Sequence, residues 1–323
     1  MSNKISRVLI IKLSALGDVV QALGPMAAIR RHHPDAQITV LTTAPYAPLL
    51  EMSGYVDDVW LDARPKWYEF AKCKALRDRL RGGRFDMVYD LQTSNRSSLY
   101  FRLLHGYNEP MWSGIARGCS HPHKDINRDV VHTIERQADQ LYCAGITGTP
   151  FPDLSWAQAD TSRFGLSAPY ALLVPGGAPH RPGKRWSASG YGALAQQLAE
   201  QNIQPVLLGT DAEKDILDEI TTACPEAKNL CGMTDIAEIA VLGRDAIATV
   251  GNDTGPMHVL AISGAPSVVL YSYESDPVLC AQRGPAVKII RRKSLSEVSV
   301  DDVLYALGLL VPELTSAAET PAA

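Results

Sequence analysis

Val8-Leu9-Ile10-Ile11, followed by Lys12-Leu13-Ser14-Ala15-Leu16-Gly17-Asp18, reads as a strand that delivers the chain into a glycine-bearing turn. An apolar run without alternation is what a parallel strand shows when helices cover both of its faces. Val19, Leu23, Met26, Ala27 and Ile29 then fall near helical spacing, which predicts a helix over 19–31. Pro34 and Asp35 break it, and Ile38 to Leu41 supplies a second strand, completing a βαβ unit. About two hundred residues on, Gly251-Asn252-Asp253-Thr254-Gly255-Pro256-Met257-His258 repeats the arrangement between a strand over 246–250 and a helix over 256–263. Such a turn presents free backbone N–H groups and the positive end of a helix dipole, a receptor for phosphate or another anion. Two of them predict two α/β domains with a cleft between.

The rest of the chain keeps this rhythm. Strands are expected at 58–61, 87–90, 171–174, 205–208 and 267–271, with helices at 67–80, 129–144, 191–201, 212–222 and 300–310. On the helix at 129–144, Val130, Ile134, Ala138, Leu141 and Tyr142 form the expected inner face. Residues 147–169, rich in Gly, Pro and Ser and without periodicity, read as a linker. The domains are therefore set at 1–155 and 156–323, and the helix at 300–310 offers a face that would pack back on the first. A length of 323 residues suits two domains of roughly 150 each.

Hydrophobic residues at 46% and charged residues at 20% describe an ordinary globular chain. A net charge of −4 lends no support to nucleic-acid binding. Six scattered cysteines without a C-x-x-C pair indicate neither a zinc site nor a disulfide framework, and fit a reducing cytoplasm. No segment approaches the ~20 apolar residues of a membrane span, so any membrane contact is expected to be peripheral.

Three turns could carry chemistry. Asp18 is either an N-terminal carboxylate worth about 0.3–1 kcal/mol to its helix or a general base at the carboxyl end of a central strand. Pro175 to Trp186 gathers Arg181, Lys184 and Arg185 with Gly176, Gly177 and Gly183, which favours an anion site over a solvated loop. Trp186 itself reads as a packing residue. Asp253, Thr254 and Gly255 stand where their N–H groups and the Thr254 hydroxyl could hold a phosphate, with a plain helix cap as the rival reading. His258, one turn further, reads as a core or supporting histidine. Glu213 is favoured over Asp211 for a ribose hydroxyl, at the end of another strand. No ligands stand at metal spacing, so neither metal nor cofactor is expected.

These residues resemble the ADP-heptose:lipopolysaccharide heptosyltransferases, inverting glycosyltransferases of family nine with the GT-B architecture of two Rossmann-like domains. The resemblance runs from Val8 to the strand near Val269. Its most specific pieces are Leu16-Gly17-Asp18, Lys184-Arg185-Trp186 and Asn252 to His258, with Asp90-Leu91-Gln92 and Arg96-Ser97 matching a fourth-strand segment. It implies that the first domain binds the acceptor and the second the nucleotide-sugar donor. Asp18 would deprotonate an acceptor hydroxyl, Lys184 would neutralise the departing diphosphate, the amides around Thr254 and Gly255 would hold it, and Asp253 would orient the site. Ser14, Gly17, Gly176, Arg185, Glu213 and His258 complete the expected donor set. Arg96, Arg117 and Lys124 are the expected acceptor contacts, the last two in a cationic segment over 107–128 that suits a phosphorylated or Kdo-bearing lipid core. The chain departs from many relatives at Gly176-Gly177-Ala178-Pro179-His180, where they carry a Thr-rich loop.

The expectation is thus a metal-independent, cytoplasmic enzyme, peripheral on the inner face of the inner membrane. It would move a heptose or related sugar from a nucleotide-diphosphate donor, ADP-heptose, onto a lipopolysaccharide-type glycolipid. A nucleotide-sugar epimerase on the same architecture and a non-catalytic nucleotide-sugar-binding protein are the alternatives.

Overall fold

The computed structural model describes residues 4–104, 106–107, 109–312 and 314. The chain divides into two compact units, Met1–Trp156 and Ala157–Ala323. In the first, strands β1 (Arg7–Ile11), β2 (Gln37–Thr42), β3 (Asp58–Leu61), β4 (Met87–Asp90), β5 (Met111–Gly114) and β6 (His121–Pro122) form one sheet in the order β3-β2-β1-β4-β5-β6. In the second, β7 (Tyr170–Val174), β8 (Gln204–Leu207), β9 (Lys228–Asn229), β10 (Ala248–Asn252), β11 (Ser267–Tyr271) and β12 (Val287–Arg291) are ordered β12-β11-β10-β7-β8-β9. Every pairing is parallel. In each sheet the first strand of the unit lies centrally and the chain reverses direction beside it, the Rossmann order 3-2-1-4-5-6. The two parallel α/β domains read from the strand runs and turns, and the two Rossmann-like domains that the resemblance implied, are what is observed.

Burial explains the strand runs. Val8 to Ile11 are wholly buried, and Ile10 sits in register between Val40 and Tyr89. The core under the first sheet joins Leu9, Ile11, Val88, Tyr100 and Trp112. That of the second joins Leu173, Tyr191, Leu198, Val250 and Val268, and Val303, Ala306 and Leu307 of the last helix, Val300–Gly308, belong to it.

Several elements differ from expectation. The single helix over 19–31 is two, Leu16–Gln21 and Leu23–His32, meeting at Ala22. Pro25 is the cause, since it has no N–H to bond the carbonyl one turn back. The helix expected over 129–144 begins only at Thr133, and Val130 and Tyr142 are exposed. Its buried side chains are Thr133, Gln137, Gln140 and Leu141. The inner face is polar because it meets the carbonyl ends of strands, with Gln140 Nε2 donating to Asp90 O at 3.0 Å.

The stretch read as a linker is tied down on both sides of Trp156. Arg31 donates to Gly148 O at 2.7 Å, Leu154 is buried, and Trp156 meets Tyr55 edge to face, all within the first unit. Arg244 donates to Ala157 O at 2.5 Å within the second. Among the described residues, no helix is long and apolar enough to cross a membrane.

Candidate functional site

Each unit gathers its reactive side chains at the carboxyl edge of its sheet, around the two strands where the winding reverses. That crevice is where open α/β sheets bind ligands.

In the first unit the strands concerned are β1 and β4. Lys12 Nζ donates to Leu91 O at 3.2 Å, and Gln92 Oε1 accepts the N–H groups of Leu13 at 2.7 Å and Ser14 at 3.2 Å. The two turns are thereby stitched together. The Ser14 hydroxyl also accepts a hydrogen bond from Arg64. Asp18 lies in the first turn of helix Leu16–Gln21, behind the buried Gly17, and its Oδ2 accepts the Ala15 N–H at 3.1 Å. Asp18 therefore does cap its helix, but it also lines a polar cavity of about 60 Å³ with Lys12, Gln92, Thr93, Arg128 and Arg136. That is room for about two water molecules or a small ligand group.

The electrostatics of this cavity favour an anion. Burial lowers the Lys12 pKa while Asp18 raises it, and Arg136 beside it pushes the other way. Burial, then Arg136, also lowers the pKa of Arg128, whose Nε is buried with no hydrogen-bond partner. Three cations crowd about one cavity carboxylate, Asp18. Behind them Asp90 is completely buried, and burial pushes its carboxyl up to about 6 against the N–H groups of Thr93 and Gln92. Only below about pH 6 does loss of charge on Asp90 add to the positive surplus.

Sequence reasoning placed neither Lys12 nor Arg136 here. Lys12 was nonetheless legible as a cation closing a buried strand, and Arg136 with Gln140 as a polar i, i+4 pair. The search for an apolar face hid them.

Of the cationic segment 107–128 expected to meet the acceptor, Arg128 lines the Asp18 cavity, while Arg96, Arg117 and Lys124 are not among its lining residues. Arg96 is engaged in an internal network, with its Nε donating to the Tyr100 hydroxyl at 2.6 Å and to Asp62 at 3.3 Å. Asp62 is buried and is also hydrogen-bonded by Tyr100. Arg117 lines a different recess with Glu109 and Pro110, beside the amino end of β5. Lys124 is exposed just past β6. The segment around them also contains β5 and β6, and its His123 is buried and bonded to Asp139 at 2.7 Å.

In the second unit the crevice lies between β7 and β10. Asn252, fully buried, braces it by donating to the carbonyls of Pro175 at 2.8 Å and Gly176 at 3.0 Å. Its Oδ1 accepts the Trp186 N–H at 3.0 Å and the Tyr191 hydroxyl at 3.2 Å. Trp186 is buried, with its indole N–H on Val298 O at 3.0 Å, a packing residue as expected. Lys184 Nζ pairs with Asp253 Oδ2 at 2.5 Å, the side chains only 13% and 8% exposed. Burial alone would raise the Asp253 carboxyl, but Lys184 and Gln282 hold it below the usual carboxylate range. Asp253 thereby fixes the ammonium at the mouth of helix Gly255–Ile262, whose first N–H groups have no partner within the helix. The Thr254 hydroxyl donates to Asn252 O at 3.2 Å and does not cap the helix. His258 is buried in the first turn.

Glu213 links two loops of this unit. Its Oε1 accepts the Gly177 N–H at 3.0 Å, and its Oε2 accepts the Thr210 N–H at 2.8 Å and hydroxyl at 3.0 Å. Gly176 presses against this carboxylate so closely that a Cβ would overlap it. Arg185 folds back on its own loop, Nη2 donating to Gly177 O at 2.6 Å, and its Nε is buried unpaired. Among the described residues no three His, Cys, Asp or Glu side chains gather as a metal-binding group.

Comparison with known proteins bears on both units. The sequence profile of glycosyltransferase family 9 (heptosyltransferase) matches residues 73–299. Lipopolysaccharide heptosyltransferase 2 of Escherichia coli K12 is 28% identical over 308 residues, covering 88% of each chain. The solved structure of E. coli ADP-heptose lps heptosyltransferase II superimposes with a TM-score of 0.80 at 25% identity, covering 95% of this chain and 99% of that one. E. coli heptosyltransferase WaaC with ADP shares the fold at a TM-score of 0.74 and 22% identity, over 95% of this chain and 99% of its own.

Proposed function

The chain belongs to glycosyltransferase family 9, the heptosyltransferases, and from that membership we propose that it transfers a heptose from ADP-heptose to a hydroxyl of a lipopolysaccharide-core acceptor. The relatives named for lipopolysaccharide heptose transfer, similar over nearly their whole length, favour this over an epimerase or a binding protein. The acceptor is assigned to the first unit and the donor to the second. The enzyme works in the cytoplasm, in peripheral contact with the inner membrane.

The observation that carries the donor side is the Lys184–Asp253 pair set at the start of helix Gly255–Ile262. A diphosphate held there meets one fixed ammonium and the N–H groups of Thr254, Gly255 and Met257, Pro256 having none. As the anomeric C–O bond breaks, negative charge grows on the leaving phosphate while the sugar becomes oxocarbenium-like. Groups already aimed at that charge stabilise the transition state more than the ground state. Glu213, fixed between two loops, offers its remaining lone pairs to the ribose, and Gly176, Arg185 and His258 shape the same wall. On the acceptor side Asp18 takes the hydroxyl proton while the oxygen bonds to the anomeric carbon from the face opposite the diphosphate, so configuration inverts. Lys12, Arg128 and Arg136 attract an acidic group of the acceptor, a phosphate or sugar carboxylate, next to that base.

Transfer is measured with ADP-heptose and a lipopolysaccharide-core acceptor. Asp18→Ala is expected to lower kcat about 10²- to 10⁴-fold with little change in donor affinity. Full activity in this variant removes Asp18 as the base. Turnover of donor without any acceptor, at the rate seen with it, removes the transferase reading.

A further inference from the structure

Helix Phe70–Gly82 runs for thirteen residues yet buries only Leu80. The stretch 64–84 carries eight Lys and Arg residues against Glu69 and Asp78 alone, in a chain whose net charge is −4. Both acidic groups are already spent, Glu69 on Lys72 at 2.5 Å and Asp78 on Lys74 at 2.8 Å and Arg77 at 2.9 Å. With Arg64 on the Ser14 hydroxyl, Arg79 over the Trp60 ring and Arg81 on Leu103 O, the stretch still keeps Lys66, Lys72, Lys74, Arg77 and Arg84 against these two carboxylates. On the same surface Trp67 is 80% exposed and Phe70 73%. Beside them a groove of about 530 Å³ runs between this helix and helix Asn95–Leu104, lined by Trp67, Phe70, Leu76, Leu99 and Leu103 among others.

We propose that this face of the first unit docks on an anionic lipid surface. Trp67 and Phe70 enter the interfacial zone, the groove takes up apolar chain segments, and Lys74, Arg77 and their neighbours meet the phosphate headgroups. The proposal rests on the peripheral membrane contact in the function above and gives it a location and a lipid chemistry. Charge complementarity selects the partner, because aromatic side chains flanked by clustered Lys and Arg suit the boundary between water and acyl chains beneath a negative headgroup layer.

The test is co-sedimentation of the full chain, without substrates, with phosphatidylcholine vesicles that do or do not contain phosphatidylglycerol. Binding is expected only to the anionic vesicles, weakening as salt rises, with a blue shift of tryptophan emission that Trp67→Phe abolishes. Lys74→Glu with Arg77→Glu, and separately Trp67→Ser with Phe70→Ser, should each weaken binding by about tenfold or more. Both should keep the wild-type melting temperature and the wild-type rate on a lipid-free, water-soluble acceptor fragment, while losing rate on acceptor embedded in anionic vesicles. Equal affinity for the two vesicle types, no affinity for either, or undiminished binding by the folded variants overturns the proposal. Because vesicle binding is read without donor or acceptor, an enzyme that transfers but does not bind sinks this inference alone. One that binds but does not transfer sinks the function alone.

Discussion

Lys184 serves structure and chemistry together, and the two can be separated. Its ammonium offsets a carboxylate that is almost wholly buried, so Lys184→Ala leaves Asp253 uncompensated and is expected to cost about 3 kcal/mol of stability. Lys184→Ala with Asp253→Ala should recover much of that loss in chemical denaturation, yet remain unable to bind nucleoside diphosphate in calorimetry. Recovery of binding by the double variant contradicts the role given to Lys184. A second residue-scale effect is pH dependence. His33 is buried against the Tyr89 hydroxyl at 2.8 Å, and burial, then His32, lowers its pKa to about 4. The folded state holds it neutral while the unfolded chain protonates near 6.5. Its contribution is thus complete above about pH 6.5 and is lost as pH falls toward 4. Asp90, raised to about 6, works in the opposite sense, gaining stability as it protonates. The gap in melting temperature between wild type and His33→Asn should therefore shrink steadily from pH 7 to pH 4.5, a comparison in which Asp90 cancels. A constant gap is evidence against a neutral buried His33.

At the scale of elements, the glycine turns and apolar runs made β1, β7 and β10 legible, because wholly buried parallel strands advertise themselves. Edge strands do not. β12, Val-Lys-Ile-Ile-Arg, is largely exposed and shares its alternation with many loops, and β6 is only two residues long. The helix Thr133–Cys143 hid its inward side for a related reason, since it faces carbonyls and a polar cavity instead of aliphatic side chains. The helix Leu23–His32 makes a sharper prediction. Gly24 faces the backbone of Pro150 to Pro152, and a Cβ would collide with the Pro150 carbonyl. A backbone carbonyl cannot rotate aside as a side chain does, so Gly24→Ala should destabilise by about 1–3 kcal/mol. Gly82→Ala, where a Cβ meets nothing within 4 Å, should be neutral or slightly stabilising in the same thermal melts. Equal effects at the two positions would refute this packing argument.

For the whole molecule, two sheets of identical strand order put every proposed reactive group at a carboxyl edge. Titration with ADP should accordingly slow amide hydrogen exchange at 175–186, 209–213 and 253–258 and leave the amino ends of β7, β8 and β10 unchanged. Protection centred on the amino ends would place the nucleotide elsewhere. Such placement was readable from the turns. The partner of each charged side chain was not, because spacing along the chain says nothing about Asp62 opposite Arg96, or Glu213 against Gly177.

That last contact also governs how the enzyme could be re-engineered. With no space for a side chain at Gly176 while Glu213 stays in position, a loop that carries a Cβ there turns the Glu213 carboxylate away from Gly177 and Thr210. Exchanging 176–180 together with 210–213 keeps the contact intact, whereas varying one loop alone frees the Glu213 carboxylate from the Gly177 and Thr210 N–H groups that hold it.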